Sequence, residues 1–294
     1  MQITRRPNFF ILGAPKCATT SMSVWLRGHP DIFMPAKKEP HFFNTDDRQG
    51  ITGLKQYEQL FSSARPRHHA IGEASVWYLS SATAVDNILR YQPDARFMVM
   101  VRNPLEMAPA LHAQMVISGH ENVRDFAAAW MLQEDRRYGR KLPSFGWSRR
   151  RLQYGEVCSL GAQLERLLAR VSAERVAVTV LDDLCADARK EYLCILKFLG
   201  VADDGRTGFP IHNDARASLL PGFNRVLNLL GEAKYQLGMR HGLGMLESIE
   251  NINQIRKQRK PVPPELRRQM ASYFAADIKV LEGLLDRDFR HWLV

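Results

Sequence analysis

Cysteine is scarce in this chain. Its 294 residues include four, Cys17, Cys158, Cys185 and Cys194. No two stand in Cys-x-x-Cys spacing, which argues against a zinc site or a disulfide framework and leaves reduced thiols as the expectation. Long apolar runs are missing too. The segment Phe9–Leu12 offers only four strongly apolar residues before Gly13, too few for the core of a signal peptide, and no stretch approaches the length of a membrane span. A chain without a membrane span, in the cytoplasm, is expected. There is no convincing carboxylate cluster, internal repeat or low-complexity tract. His68-His69 lack further ligand-spaced partners and read as surface loop, so no metal is expected.

What is present suits one large domain. Apolar residues make up 45% of the chain and charged residues 24%, enough for a substantial core with an ordinary surface. The net charge is +10, from 41 basic and 31 acidic residues. That balance suits an anionic ligand, with nucleic acid as the competing reading. The basic residues are scattered, and the local clusters Arg149-Arg150-Arg151 and Arg256 to Lys260 lack the interleaved aromatics of a stacking platform. No nucleic-acid partner is expected.

Strand and helix patterns alternate. Phe9–Leu12 reads as a central strand with both faces covered, Ala70–Glu73 as a second, Arg96–Val101 as a third and Val176–Leu181 as a fourth. Helices are expected near 82–90, from Pro104, over 123–137, over 161–170 and over 190–199, the last stopped by Gly200. This alternation implies an α/β fold, a parallel sheet flanked by helices in a single domain. The glycine-rich stretch 202–264 reads as loops and short helices, a candidate lid.

The first strand breaks at Gly13 into Ala14-Pro15-Lys16-Cys17-Ala18-Thr19-Thr20-Ser21, and a helix follows. Backbone N–H groups and the positive dipole end of that helix face whatever sits in the turn, while Lys16 adds a full charge and the hydroxyls add donors. The Walker A pattern sets its lysine directly before the Ser or Thr, after a second glycine. Here Lys16 precedes Thr19 by three residues and the second glycine is absent. The turn therefore suits a phosphate-like group without the Mg²⁺–hydroxyl geometry of ATP sites. An ordinary strand-turn-helix with a surface lysine is the alternative.

With these residues the chain resembles the PAPS-dependent sulfotransferases, in particular the branch of glycosaminoglycan sulfotransferase domains and their bacterial relatives. Gly13–Ser21 is similar to the family's 5′-phosphosulfate loop. Lys37-Lys38-Glu39-Pro40-His41-Phe42-Phe43 resembles the segment carrying the branch's catalytic glutamate. Gly72-Glu73-Ala74-Ser75-Val76-Trp77-Tyr78-Leu79 resembles the following strand and turn, and Val101-Arg102-Asn103-Pro104 resembles the start of the 3′-phosphate motif. The likeness runs almost end to end, through Pro264-Glu265-Leu266-Arg267 to Trp292.

The resemblance implies a P-loop nucleotide-kinase-like parallel sheet and sulfonyl transfer from PAPS, with PAP as product and no metal, to a small-molecule or carbohydrate acceptor, over a sulfotransferase domain of residues 1–294. It assigns Lys16 to the leaving oxygen, and Cys17, Ala18, Thr19, Thr20 and Ser21 to the 5′-phosphate. Glu39 becomes the general base, with Lys37, Lys38 or His41 to share the proton work; its plainer reading is a solvated loop with a surface ion pair. Arg102, at the carboxyl edge of a strand, can fork onto the 3′-phosphate; its plainer reading is a cap for a neighbouring helix. Arg259 and Lys260 lie where the family places a loop closing over the nucleotide, so either could reach the 3′-phosphate; a solvated surface is the alternative.

Two positions depart from the family. Ala110 stands where a serine donates to the 3′-phosphate, with His112 or Ser118 as candidates to compensate. Ala74 replaces a lysine that follows the strand glutamate in glycosaminoglycan members. Glu73 stays open between a strand-end carboxylate and a group that orients Lys16 or lines the acceptor site. Asp182-Asp183 reads as structural, and Trp77, Tyr78 and Trp130 as either acceptor walls or core. A P-loop nucleotide kinase and a catalytically weak nucleotide-binding scaffold are the competing functions.

Overall fold

The computed structural model describes residues 6–47, 50–144, 148–212, 217–218, 254–255 and 261–294. Strand β1 (Phe9–Gly13) runs into helix α1 (Thr19–Arg27), followed by the two-residue strand β2 (Ile32–Phe33) and α2 (Leu54–Glu58). Then come β3 (Ala70–Ala74), α3 (Ala84–Tyr91), β4 (Arg96–Val101) and α4 (Pro104–Ile117). Four short helices follow: α5 (Phe126–Met131), α6 (Gln133–Arg137), α7 (Tyr154–Cys158) and α8 (Leu160–Leu168). Strand β5 (Val176–Val180) leads directly into α9 (Leu181–Ala186) and α10 (Ala188–Leu199). Beyond a minimal antiparallel pairing of Ala217–Ser218 with Gln254–Ile255, the chain closes on the long α11 (Pro264–Leu285).

The five-stranded sheet has the order β2-β3-β1-β4-β5, and every pairing in it is parallel. All residues of β1 and β3 are buried, as a central strand of a sheet covered on both faces requires. At the β1–β3 pairing, Phe9 lies opposite Gly72. A Cβ on Gly72 would come within 2.1 Å of the Phe9 ring and 2.3 Å of Met34 Sδ, so the glycine in β3 is the room into which the larger side chains pack. The expected α/β class and parallel sheet are present.

By internal contacts the chain divides into two compact units. One comprises Met1–Pro104, Ser159–His212 and Ala276–Trp292, and holds the whole parallel sheet; the other comprises Leu105–Cys158, Asn213–Ala275 and Leu293–Val294. In the first unit, because all strands run parallel, their carboxyl ends share one edge, and the segments after β1, β3 and β4 gather there, where open parallel sheets bind ligands.

Several boundaries moved from expectation. The helix expected over 123–137 is two helices, α5 and α6. Asp125 caps the first by accepting from Ala128 N at 2.9 Å, and Leu132 is the cap residue at which α5 ends and α6 begins. Strand β2 carries no alternating pattern because it has only two residues. Gly200 does stop α10 in the left-handed conformation, with φ of 71°. His68 is buried rather than a surface residue: its Nδ1 accepts from Arg65 N at 2.8 Å and its ring lies 5.5 Å from that of Phe33. No group of residues suited to hold a metal occurs among the described residues, and no described helix is long and apolar enough to cross a membrane.

Candidate active site

The turn after β1 is shaped by backbone as much as by side chains. Lys16 and Ala18 both take positive φ, 64° and 62°, and Ala18 is the residue that enters α1. Such conformations are disfavoured for residues with a Cβ and concentrate where a binding loop must aim its N–H groups. Ala14 N donates to Met100 O at 2.9 Å, tying the turn to β4. Arg102, just past the end of β4, donates from a terminal guanidinium nitrogen to Lys16 O at 3.1 Å. The strand-end arginine and the lysine turn are therefore in direct contact. Cys17 is buried, and burial pushes its thiol up to about 12, so it sits in the turn as a neutral, packed group.

The hydroxyls of the turn divide into two sets. Ser21 is committed away from the turn: its Oγ accepts from His212 N at 2.9 Å and lies 3.3 Å from His212 O. The same segment packs Phe209 edge-on to Trp25, whose indole N–H donates to Pro210 O at 3.0 Å. Thr19 and Thr20 instead meet the loop that carries Glu39. Lys38 Nζ donates to Thr19 Oγ1 at 3.2 Å, to Thr20 Oγ1 at 3.0 Å and to Glu39 Oε1 at 3.1 Å.

Glu39 and His41 also take positive φ, 60° and 50°, and the loop is fixed from three sides. Glu39 N donates to Ala74 O at 2.8 Å. His41 N donates to Ser75 Oγ at 3.2 Å. Phe42 N and Phe43 N donate to the Tyr78 hydroxyl at 2.9 and 3.2 Å. Phe43 is buried and sets its ring edge-on to Phe10 of β1 at 5.8 Å, while Phe42 stacks on Tyr57 at 4.4 Å. Pro40-His41-Phe42-Phe43 is thus an apolar plug that seats the carboxylate.

The Glu39 carboxylate is held by Lys38 on Oε1 and by His41 Nε2 on Oε2 at 3.2 Å. Burial pushes this carboxyl up, but the Lys38 charge, aided by the His41 hydrogen bond, outweighs it and holds it well below the usual carboxylate range. Its side chain keeps 34% of its surface exposed, so solvent reaches the carboxylate and screens these pairings.

Beneath the loop lies Glu73, fully buried at the end of β3. Ser75 Oγ donates to one carboxyl oxygen at 2.6 Å and Tyr57 OH to the other at 3.1 Å. Burial pushes this carboxyl up to about 7, even though those hydroxyls favour its ionised form, and the Glu39 charge adds to the rise. The unfolded reference is 4.5. A folded value above the unfolded one gives stability that is complete below 4.5 and lost as pH rises through 7. From pH 5 to pH 8 the protein should lose about 2–3 kcal/mol at this group. Urea midpoints of wild type and Glu73→Gln across that range isolate it; parallel curves for the two proteins would refute the assignment.

The remaining sequence candidates are placed as follows. Ala110 is buried in α4. His112, on the same helix, bonds through Nε2 to Val123 O at 2.8 Å and packs against Tyr154, while Ser118 Oγ donates to Gln114 O of its own helix at 2.8 Å. Both proposed substitutes for the missing serine are thus occupied. Arg259 and Lys260 lie outside the described residues, as does most of the candidate lid. Trp77 and Tyr78 are buried in the first unit, and Trp130 in the second among Phe126, Tyr273 and Phe274. Asp182 accepts from Trp292 Nε1 at 2.7 Å and Asp183 pairs with Arg287, the structural roles expected of them.

Sequence reading missed the bridging position of Lys38 and the supporting roles of Ser75 and Tyr78. The adjacent charges of Lys38 and Glu39 were the only signal for the first; no spacing rule announces the others.

No protein-family model matches the chain. Among characterised proteins it is similar to human carbohydrate sulfotransferase 15, at 32% identity over 34% of this chain and 26% of that protein. It is also similar to human heparan sulfate glucosamine 3-O-sulfotransferase 6, at 33% identity over 37% of this chain and 31% of that protein. The chain thus spans less than a third of the length of these relatives. A solved sulfotransferase from Alicyclobacillus acidocaldarius matches throughout, with a TM-score of 0.73 and 26% identity over 98% of this chain and 99% of that one.

Proposed function

We propose that this chain, which is similar in sequence and fold to sulfotransferases, moves a sulfonyl group from PAPS to a hydroxyl or amine of a small-molecule or carbohydrate acceptor, with residues 1–294 acting as one catalytic domain. The observation that carries this reading is a single hydrogen-bond network joining the Thr19 and Thr20 hydroxyls, through Lys38, to the Glu39 carboxylate. A donor cradle and a candidate base are therefore within one side chain of each other.

In this reading the N–H groups at the start of α1 and the Thr19 and Thr20 hydroxyls take the 5′-phosphate. Lys16 faces the oxygen on which negative charge builds as the S–O bond breaks. Arg102 takes the 3′-phosphate, its contact with Lys16 O keeping it at the turn. Glu39 accepts the proton of the attacking hydroxyl as the new O–S bond forms, and the electron pair of the broken bond leaves with the phosphate of PAP. The base is aided by position more than by strength, since Lys38 and His41 stabilise its ionised form.

Calorimetry with PAP tests the reading. Wild type should bind in the micromolar range, and Lys16→Ala and Arg102→Ala should each weaken binding by about 10- to 100-fold, the worth of charged hydrogen bonds. Absence of binding at millimolar PAP would favour a scaffold that has kept only the fold. Tight Mg-ATP binding in its place would favour a nucleotide kinase.

A further inference from the structure

Lys38 is the least expected member of the site. An ammonium group has three N–H donors, and the three neighbours recorded for this one are Thr19, Thr20 and Glu39. Two of the three are neutral hydroxyls that belong to the anion cradle, and only one is an ion-pair partner. The side chain is 19% exposed, so the charge is partly desolvated and sensitive to a new anion nearby. The titratable groups facing Glu39 are Lys38 and His41 on its own loop and Glu73 from β3. Lys16 and Arg102 are the cations of the neighbouring turn.

We propose that Lys38 is a shared cation, paired with Glu39 in the free protein and drawn to the donor's phosphosulfate once the cradle is filled. The inference rests on the sulfonyl-transfer reading above and adds a residue and a sequence of events to it. When anionic oxygens meet Thr19 and Thr20, the hydroxyls turn their protons towards them, while their lone pairs still accept from Lys38. The ammonium then stands within reach of a multiply charged phosphosulfate as well as the single charge of Glu39. Attraction to the larger charge loosens its hold on Oε1. Glu39 loses one of the two partners that stabilise its ionised form, and its affinity for the acceptor's proton rises. Donor occupancy therefore prepares the base, and the proton is taken only when a sulfonyl group is in place to be attacked.

A double-mutant cycle on PAP affinity separates this from simple repulsion between Glu39 and the nucleotide. Calorimetry at neutral pH should show Lys38→Met about 10-fold weaker than wild type, a desolvated charge-assisted contact being lost. Lys38→Arg should stay within about threefold of wild type, since a cation with donors remains. Glu39→Gln should bind PAP about three- to fivefold more tightly, because Lys38 is released to the ligand. The gain should vanish when Glu39→Gln is made in the Lys38→Met background, which a merely structural lysine would not produce. An equal gain in both backgrounds would overturn the inference, as would unchanged affinity in Lys38→Met. If wild type binds PAP through Lys16 while either of those results appears, the sulfonyl-transfer reading stands and the shared cation falls. If PAP does not bind, both fall together.

Discussion

Glu39→Gln should lower turnover with labelled PAPS by about 10²- to 10⁴-fold, the usual contribution of a positioned general base, while PAP still binds at least as well as to wild type. The amide is isosteric and can keep its contact with His41, so the loop held by Ala74, Ser75 and Tyr78 has no reason to rearrange. What disappears is the capacity to accept a proton. Phenols, sugars and lipid-like alcohols offered with labelled PAPS would identify a working acceptor for the assay. Unaltered turnover would remove Glu39 as base and pass the role to His41, whose ring already touches the same carboxylate. A parallel fall in PAP affinity would instead point to a collapsed loop.

The largest expected effect on stability lies in the second unit. Glu121 and Arg136 form an ion pair in which neither side chain has any exposed surface. The guanidinium donates twice, at 2.6 and 2.8 Å, and Tyr154 OH and Val123 N supply two further hydrogen bonds to the carboxylate, each at 2.8 Å. Removing one partner strands the other charge in a dry interior, so Arg136→Met should cost about 3–5 kcal/mol in urea unfolding. Burial pushes the Glu121 carboxyl up, but the Arg136 hydrogen bonds outweigh it and hold it below its ordinary value of 4.5. A depressed folded value means that the stability is present above pH 4.5 and lost as pH falls through the folded value. Arg136→Met should therefore flatten the acid limb as well. Replacing both partners, with Glu121→Leu added, should return most of the loss, because no unpaired charge remains. A single substitution as stable as wild type would show that the pair contributes nothing.

Four of the five strands were legible in the sequence, the clearest because they are continuous apolar runs, while the two-residue β2 was not. Phe9–Leu12 and Arg96–Val101 announced themselves by composition alone, and Gly200 announced the end of α10. The candidate turn was legible through its local order, a strand breaking at Gly13 into lysine and hydroxyls. What escaped notice depends on residues far apart in the chain. Lys38 reaches Thr19 across 19 positions, and Phe42 N reaches Tyr78 OH across 36; neither leaves a periodic trace. Ser21 shows the converse limit. Its place in the motif suggested a phosphate donor, yet its hydroxyl pairs with His212, 191 residues away, a distant contact that only the folded chain reveals.

The buried thiol in the turn after β1 has a practical consequence. With its proton held to about 12, Cys17 offers almost no thiolate near neutrality. Maleimide or iodoacetamide would attach to the exposed Cys185 on α9 and Cys194 on α10 and pass it by. Fluorophores can therefore be placed on those two helices without first engineering the turn after β1, and ligand binding can be followed by their emission in otherwise native protein.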